Sequence, residues 1–310
     1  MVFLEINHRP DRLGANLTWY IMQIIWCHKN NWFCHWIPGP FDDSLFVQAI
    51  KIYLDKFNYD LGEKFGDHEH GWKVDFLEYT QQDWPGNAMK VTQEVGMDLL
   101  SYYKNHIYTT MNEIFTSIFI SHPKCKSIDI DFKNTIVLHL RLDDVSIRGP
   151  YPSRAGCKYY RDKLNSGNIH IDLQDESDYF YRVGLYCPAW NRDYNPFDCQ
   201  APIEVRHIKT YIDIAKNMFP RHNLVIVTSP TSKVDKELEK YRIITNEDPD
   251  VDLYILSQAN VIIGSKSLFC FSSLFFGNHQ MKFIPIWGHI IGTGITTKYD
   301  FQNNNVYLSD

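Results

Sequence analysis

The stretch Asp252-Leu-Tyr-Ile-Leu-Ser-Gln-Ala-Asn260-Val-Ile-Ile-Gly264-Ser-Lys-Ser267 decides the fold class. It reads as a helix over Asp252–Ala259, a strand over Val261–Gly264, and a Gly/Ser loop that opens another helix. The same alternation continues on both sides. Upstream lie helix Glu204–Phe219, strand Leu224–Thr228, helix Lys233–Tyr241 and strand Ile243–Thr245; downstream lie helix Leu268–Gly277 and strand Phe283–Ile286. Strands alternating with helices signal a parallel α/β sheet. The apolar run Thr135–Leu140 supplies one more strand, buried on both faces as parallel strands are.

The amino-terminal part has its own rhythm. Val2–Asn7 is strand-like, His8–Arg12 is turn-forming, and Leu13-Gly14-Ala15-Asn16 opens a helical pattern through about His28. Such a unit sets backbone N–H groups and a helix start at the edge of a sheet, where phosphates are held. Asp42–Phe57 reads as a helix capped by Asp42-Asp43, and Val91–Ile120 as one or two longer helices. After Pro123-Lys124-Cys125 the pattern resets, which sets a domain boundary near residue 130. Residues 144–202 break the rhythm and are expected to be an acceptor-recognition insert.

With 310 residues and 44% hydrophobic positions, the chain is long enough for about two domains with substantial cores. Its formal net charge of -6 argues against nucleic acid as a main partner. No apolar stretch reaches the roughly 20 residues of a membrane span. The seven cysteines form no Cys-x-x-Cys pair and the opening residues carry no secretory pattern, so a reduced, cytoplasmic location is expected.

Two clusters carry chemistry. His139-Leu-Arg141-Leu-Asp143-Asp144 closes the Thr135–Leu140 strand, where polar side chains project into the ligand crevice of an α/β sheet. The Arg141 fork matches phosphate oxygens and a neighbouring carboxylate can hold it; alternatively the Arg–Asp pair closes a loop. In the second cluster, Ser265 and Ser267 offer hydroxyls at a helix start and Asp252 could pair with a base edge bearing two donors. The alternative is ordinary capping by Asp252 and Ser267.

Taken in order, Arg12-Leu-Gly14-Ala-Asn16, His139-x-Arg141-x-x-Asp144 and Asp252-x-x-x-Leu-Ser257-Gln258-Ala-Asn260 followed by Ser265-Lys-Ser267 resemble the GDP-fucose-dependent fucosyltransferases of the α1,2, α1,6 and protein O-fucosyl group. The Asp-x-x-x-Leu-Ser-Gln-Ala run is nearest to the α1,6 enzymes. The resemblance implies a GT-B architecture, with two Rossmann-like domains facing across a cleft: residues 1–130 on the acceptor side and 131–310 on the donor side. It implies that Arg141 binds the GDP diphosphate, His139 contacts the nucleotide, and Asp144 orients the loop. Asp252 would read guanine, Ser265 and Ser267 would hold phosphate, and Gly14 and Asn16 would bring the amino-terminal loop to the diphosphate and sugar. No metal or other cofactor is expected. The partners would be a nucleotide-sugar donor and an oligosaccharide or glycoprotein acceptor.

Departures from the family pattern have consequences. Ala15 and Asn16 stand where the family carries Asn or Cys followed by Gln, Leu142 replaces a second Arg, and the α1,6 enzymes' catalytic glutamate falls on Gly149. The base is therefore not carried over, leaving Asp143, Asp42 and Asp43 as candidates. Asp129-Ile-Asp131 and Asp248-Pro-Asp250-Val-Asp252 resemble paired Mg²⁺ or Mn²⁺ ligands, the basis of an alternative single-domain GT-A reading. His68-Glu69-His70 has no third ligand and reads as a polar loop. The aromatic stretches Trp72–Trp84 and Tyr151–Trp190 would stack on a sugar face or enter a core. A different donor, such as UDP-xylose or another GDP-deoxyhexose, or a weakly catalytic nucleotide- or glycan-binding protein, are the alternative functions.

Overall fold

The computed structural model describes residues 2–8, 12–65, 72–74, 102–142, 203, 205–285, 299–300 and 305–308, and it is mixed α/β with parallel sheets. The chain divides into two compact units: residues 1–129 with 271–277, and residues 130–270 with 278–310.

The first unit begins with strand β1 (Val2–Ile6), helix α1 (Leu13–Asn30) and strand β2 (Phe33–Trp36). Helix α2 (Leu45–Phe65) and strand β3 (Trp72–Val74) follow, then α3 (Tyr108–Ser121). The sheet order is β2-β1-β3, with both pairings parallel. Fourteen of the 18 residues of α1 are buried, so it is a core helix rather than an amphipathic surface one. It stops at Asn31, whose left-handed backbone (φ 53°) closes the last turn with an N–H to the His28 carbonyl. Phe46 of α2 packs against Phe115 and Phe119 of α3 and against Phe276, each with ring centroids 4.8 Å away.

Asp42 and Asp43 do not cap α2, which starts only at Leu45 and runs on to Phe65. Asp42 instead closes the preceding turn, accepting from Trp36 Nε1 (3.1 Å), the Gly39 N–H (3.2 Å) and Lys51 Nζ (3.2 Å). A local acceptor role won over capping because three donors converge on one carboxylate.

The second unit holds β4 (Thr135–His139), α4 (Val205–Met218), β5 (Asn223–Thr228), β6 (Arg242–Thr245) and α5 (Pro249–Gln258). They are followed by β7 (Val261–Ile263), the start of α6 (Leu268–Phe276), whose residues from Phe271 on belong to the first unit, and then β8 (Met281–Pro285), β9 (Tyr299–Asp300) and β10 (Asn305–Leu308). The strand order is β6-β5-β4-β7-β8-β10-β9, parallel except for the β10–β9 pair. Every residue of β4 is buried, as its central place demands. Helix α4 buries Ile208, Tyr211, Ile212 and Ala215, one face at helical spacing, against a core that includes Ile136, Leu138, Ile226 and Phe283.

The helix expected over Lys233–Tyr241 is absent. Successive tight turns replace it, with Leu238, Glu239 and Tyr241 N–H groups bonded three residues back. Asp235 Oδ1 accepts from the Glu237 N–H and competes with helical bonding, while Leu238 alone is buried deeply enough to anchor the segment.

Candidate functional site

Strands β6-β5-β4-β7-β8 follow the 3-2-1-4-5 order of a doubly wound sheet, so the direction of winding reverses between β4 and β7. At such a reversal the connections diverge and leave a crevice outside the carboxyl ends of the two strands. The register pairs Leu138 with Ile263. His139 therefore ends β4 beside the start of the Gly264-Ser265 loop, and its Nδ1 lies 2.6 Å from Ser265 Oγ. Phe269 of α6 packs near the imidazole, centroids 5.8 Å apart.

Burial, with Arg141 nearby, pushes the His139 imidazole down to about 3, so it is neutral throughout the ordinary working range. A base that weak does not activate a hydroxyl at neutral pH. The His139–Ser265 pair orients Ser265 and does not make it a nucleophile.

Past β4 the chain stays extended because the Leu140 N–H donates to the Val227 carbonyl and Thr228 Oγ1 donates to the Leu140 carbonyl, both at 2.9 Å. This clamp aims Arg141, whose Nη1 donates to the Lys266 carbonyl at 3.4 Å. Lys266 is itself only 9% exposed. Ser267 Oγ accepts from the Phe269 N–H at 3.2 Å and caps α6. A helix start and a guanidinium thus share one edge, an electrostatic setting for an anion.

Gly264 fits because a Cβ there would meet Pro285 Cδ at 3.3 Å and Cys270 Sγ at 3.4 Å.

Asp252 stands on the next element along the same edge. It does not cap α5: Asp248 does, accepting from the Asp250 N–H at 3.0 Å, with Pro249 opening the first turn. Asp252 is left within that turn, 8% exposed, accepting from Asn246 Nδ2 at 2.5 Å. Burial pushes its carboxyl up to about 7; the Asn246 hydrogen bond opposes the rise and the Asp248 charge adds to it. The carboxyl thus changes charge near neutrality.

The structure brings His139 to Ser265 and Arg141 to the Lys266 carbonyl, with Ser267 next in the chain, while the hydrogen bond of Asp252 is to Asn246. Gly14 and Asn16 belong to the first unit and lie inside the first turn of α1 rather than in a loop. Gly14 gives its carbonyl to Thr18 Oγ1, and the fully buried Asn16 donates Nδ2 to the Arg12 carbonyl. Asp144, Asp143, Gly149, the His68-Glu69-His70 run and residues 151–190 lie outside the described residues. Asp248 and Asp131 serve local structure, the latter accepting from Asn134 Nδ2. Among the described residues no three His, Cys, Asp or Glu side chains converge as a metal centre requires.

Thr228 and Asn246 emerge only from the fold. Lys266 could have been found from its place between two candidate serines; Thr228 and Asn246 carry no local signal.

No protein-family model matches this chain, and a comparison with curated proteins returns no match. Among the described residues no helix is long and apolar enough to cross a membrane.

Proposed function

We propose that the chain is an inverting, metal-independent glycosyltransferase of the GT-B class that moves fucose from GDP-fucose to a glycan hydroxyl. The observation that supports this reading is the convergence of Arg141, Ser265 and the start of α6 on the β4–β7 reversal. Transfer breaks the bond between the sugar's anomeric carbon and the diphosphate while the acceptor oxygen attacks. Negative charge grows on the departing GDP, and preorganised donors at that position lower the barrier. Arg141 supplies the fork, Ser265 a hydroxyl oriented by His139, and α6 its positive end. With these charges at hand, neutralising the leaving group does not require a divalent ion.

Asp252 fits the guanine edge, whose two adjacent N–H donors match one carboxylate. Asp42 is a poor base for the acceptor. Burial raises its carboxyl, but hydrogen bonds from Lys51, Gly39 and Trp36 outweigh this and hold it below the ordinary value.

The test compares GDP, UDP, GDP-fucose and UDP-xylose by calorimetry and thermal shift with EDTA present, since a ligand that binds only the native state raises its stability. Selective stabilisation by GDP and GDP-fucose is expected. Preference for UDP would replace the donor, and binding of GDP-fucose without turnover would favour a nucleotide-binding protein.

A further inference from the structure

The turn between β7 and α6 is fixed by a sulfur. On one side the Gly264 N–H donates to the Phe283 carbonyl at 2.8 Å, which ties the turn to β8. On the other the Ser265 N–H donates to Sγ of Cys270, in the first turn of α6. Cys270 is only 3% exposed, and its sulfur lies 3.4 Å from where a Cβ on Gly264 would stand, so a glycine there leaves the thiol room beside the backbone. Consecutive residues of α6 therefore hold the two partners of one hydrogen bond. Phe269 packs near the His139 ring, centroids 5.8 Å apart, Cys270 takes the Ser265 amide, and His139 Nδ1 meets Ser265 Oγ at 2.6 Å.

Burial pushes the Cys270 thiol up to about 12, with the Ser265 N–H opposing the rise, so the sulfur stays a neutral acceptor at working pH. The turn then closes on itself. The Ser265 carbonyl accepts from the Ser267 N–H at 2.8 Å, and Ser267 Oγ accepts from the Phe269 N–H at 3.2 Å. The amides of Ser265, Ser267 and Phe269 are thus engaged within the loop rather than aimed at a ligand. What Ser265 offers an anion is its hydroxyl, which has one O–H and two lone pairs, of which His139 occupies one. Arg141 stands beside it, bonded to the Lys266 carbonyl. Hydrogen bonds weaken steeply as the donor leaves the line to its acceptor, so the backbone setting of Ser265 governs that contact.

We infer that Cys270 is a positioning residue of the anion site: by holding the Ser265 N–H, its sulfur sets how the Ser265 hydroxyl is presented to a diphosphate. This rests on the donor reading of that edge and names the residue on which the Ser265 contact depends. A cysteine that merely filled the core would act on stability alone.

Calorimetry of the full chain with inorganic pyrophosphate, EDTA present, tests the proposal through a double-mutant cycle. Cys270→Ala removes the acceptor and should weaken pyrophosphate binding about tenfold in a chain that is still folded, while Cys270→Ser, which keeps a small acceptor, should recover most of the loss. Should Cys270→Ala not fold, Cys270→Val gives the same reading, since it fills the space without accepting. In a Ser265→Ala background the Cys270 change should cost no further affinity, although it still lowers the urea midpoint, because the hydroxyl that the sulfur places is gone. Undiminished pyrophosphate binding by a folded Cys270→Ala or Cys270→Val chain overturns the proposal and leaves the donor reading standing. An equal loss with and without the Ser265 hydroxyl also overturns it, since that marks a general effect on the fold. A wild-type chain that binds neither pyrophosphate nor GDP removes the donor reading and this inference with it.

Discussion

At the carboxyl edge of the second sheet, the residues following β4 and β7 bring Arg141 and Lys266 beside the start of α6. At the carboxyl edge of the first, the residues following β1 and β2 bring His8 and the Gly39 turn together, and the local Lys51 is held by Asp42. Both edges arise from parallel strands joined by helical crossovers, yet the second sets Arg141 beside the start of α6, whereas the first sets Arg12 at the start of α1 and packs His8 against Tyr20 and Trp36. Topology fixes where a ligand can sit, and the few residues leaving each strand fix which chemistry it meets.

The largest test of this contrast is Arg141→Ala. Turnover of GDP-fucose with a glycan acceptor should fall about 10²–10³-fold while the melting temperature holds. Wild-type turnover would remove the donor role of the second edge.

His139→Ala should follow, with a loss of about 2–3 kcal/mol in urea unfolding, since it empties a buried site and strips Ser265 of its partner. The wild-type ring is held near 3 in the fold against an ordinary 6.5, so the native state binds this proton less tightly than the unfolded one. Its stability contribution is complete above about 6.5 and declines as pH falls toward 3. A His139→Gln chain should lack that dependence.

Gly39→Ala would force its new methyl into the His8 ring and should destabilise by roughly 1–3 kcal/mol.

The Asp252 carboxyl sits near 7 in the fold against 3.8 ordinarily, so the native state holds its proton more tightly. Stability is therefore lost as pH rises from about 4 to about 7, and Asp252→Asn should flatten that slope. Calorimetry should find GDP binding about tenfold tighter at pH 8 than at pH 6, as the ionised form replaces the acid, with UDP unchanged. Parallel profiles for both nucleotides would undo the guanine assignment.

The smallest effect is expected for Gly264→Ala at the second edge, about 1 kcal/mol, because its neighbours stand 3.3–3.5 Å from the added Cβ rather than 2.2 Å.

The strands were readable because parallel strands buried on both faces are continuous apolar runs: Thr135–Leu140 and Leu224–Thr228 each overlap an observed strand closely. The helix expected over Lys233–Tyr241 had the spacing Val234, Leu238, Tyr241 but too little buried surface to hold a helix that short. Capping was harder to read. Asp248, Asp250 and Asp252 are equivalent in composition, and only the position of Pro249 relative to the first turn leaves Asp248 as the cap and Asp252 within the helix. At the candidate site, His139, Arg141, Ser265 and Ser267 were readable from their places at strand ends and helix starts. Thr228 and Asn246 were not, because each acts through a partner distant in the chain or bent back onto it.

By itself, the sequence determined six of the ten described strands, that the second half is a parallel α/β sheet, and which polar residues stand at the ends of those strands. Periodicity and punctuation are local properties of a chain, so one dimension suffices for them. Tertiary structure alone decided that β4 lies between β5 and β7, which brings His139 to Ser265 across 126 positions of sequence. It alone decided that Asp252 is buried enough to titrate near neutrality and that His8 turns an unpartnered nitrogen toward Gly39. Strand order and desolvation depend on which distant segments meet, and no local pattern encodes that.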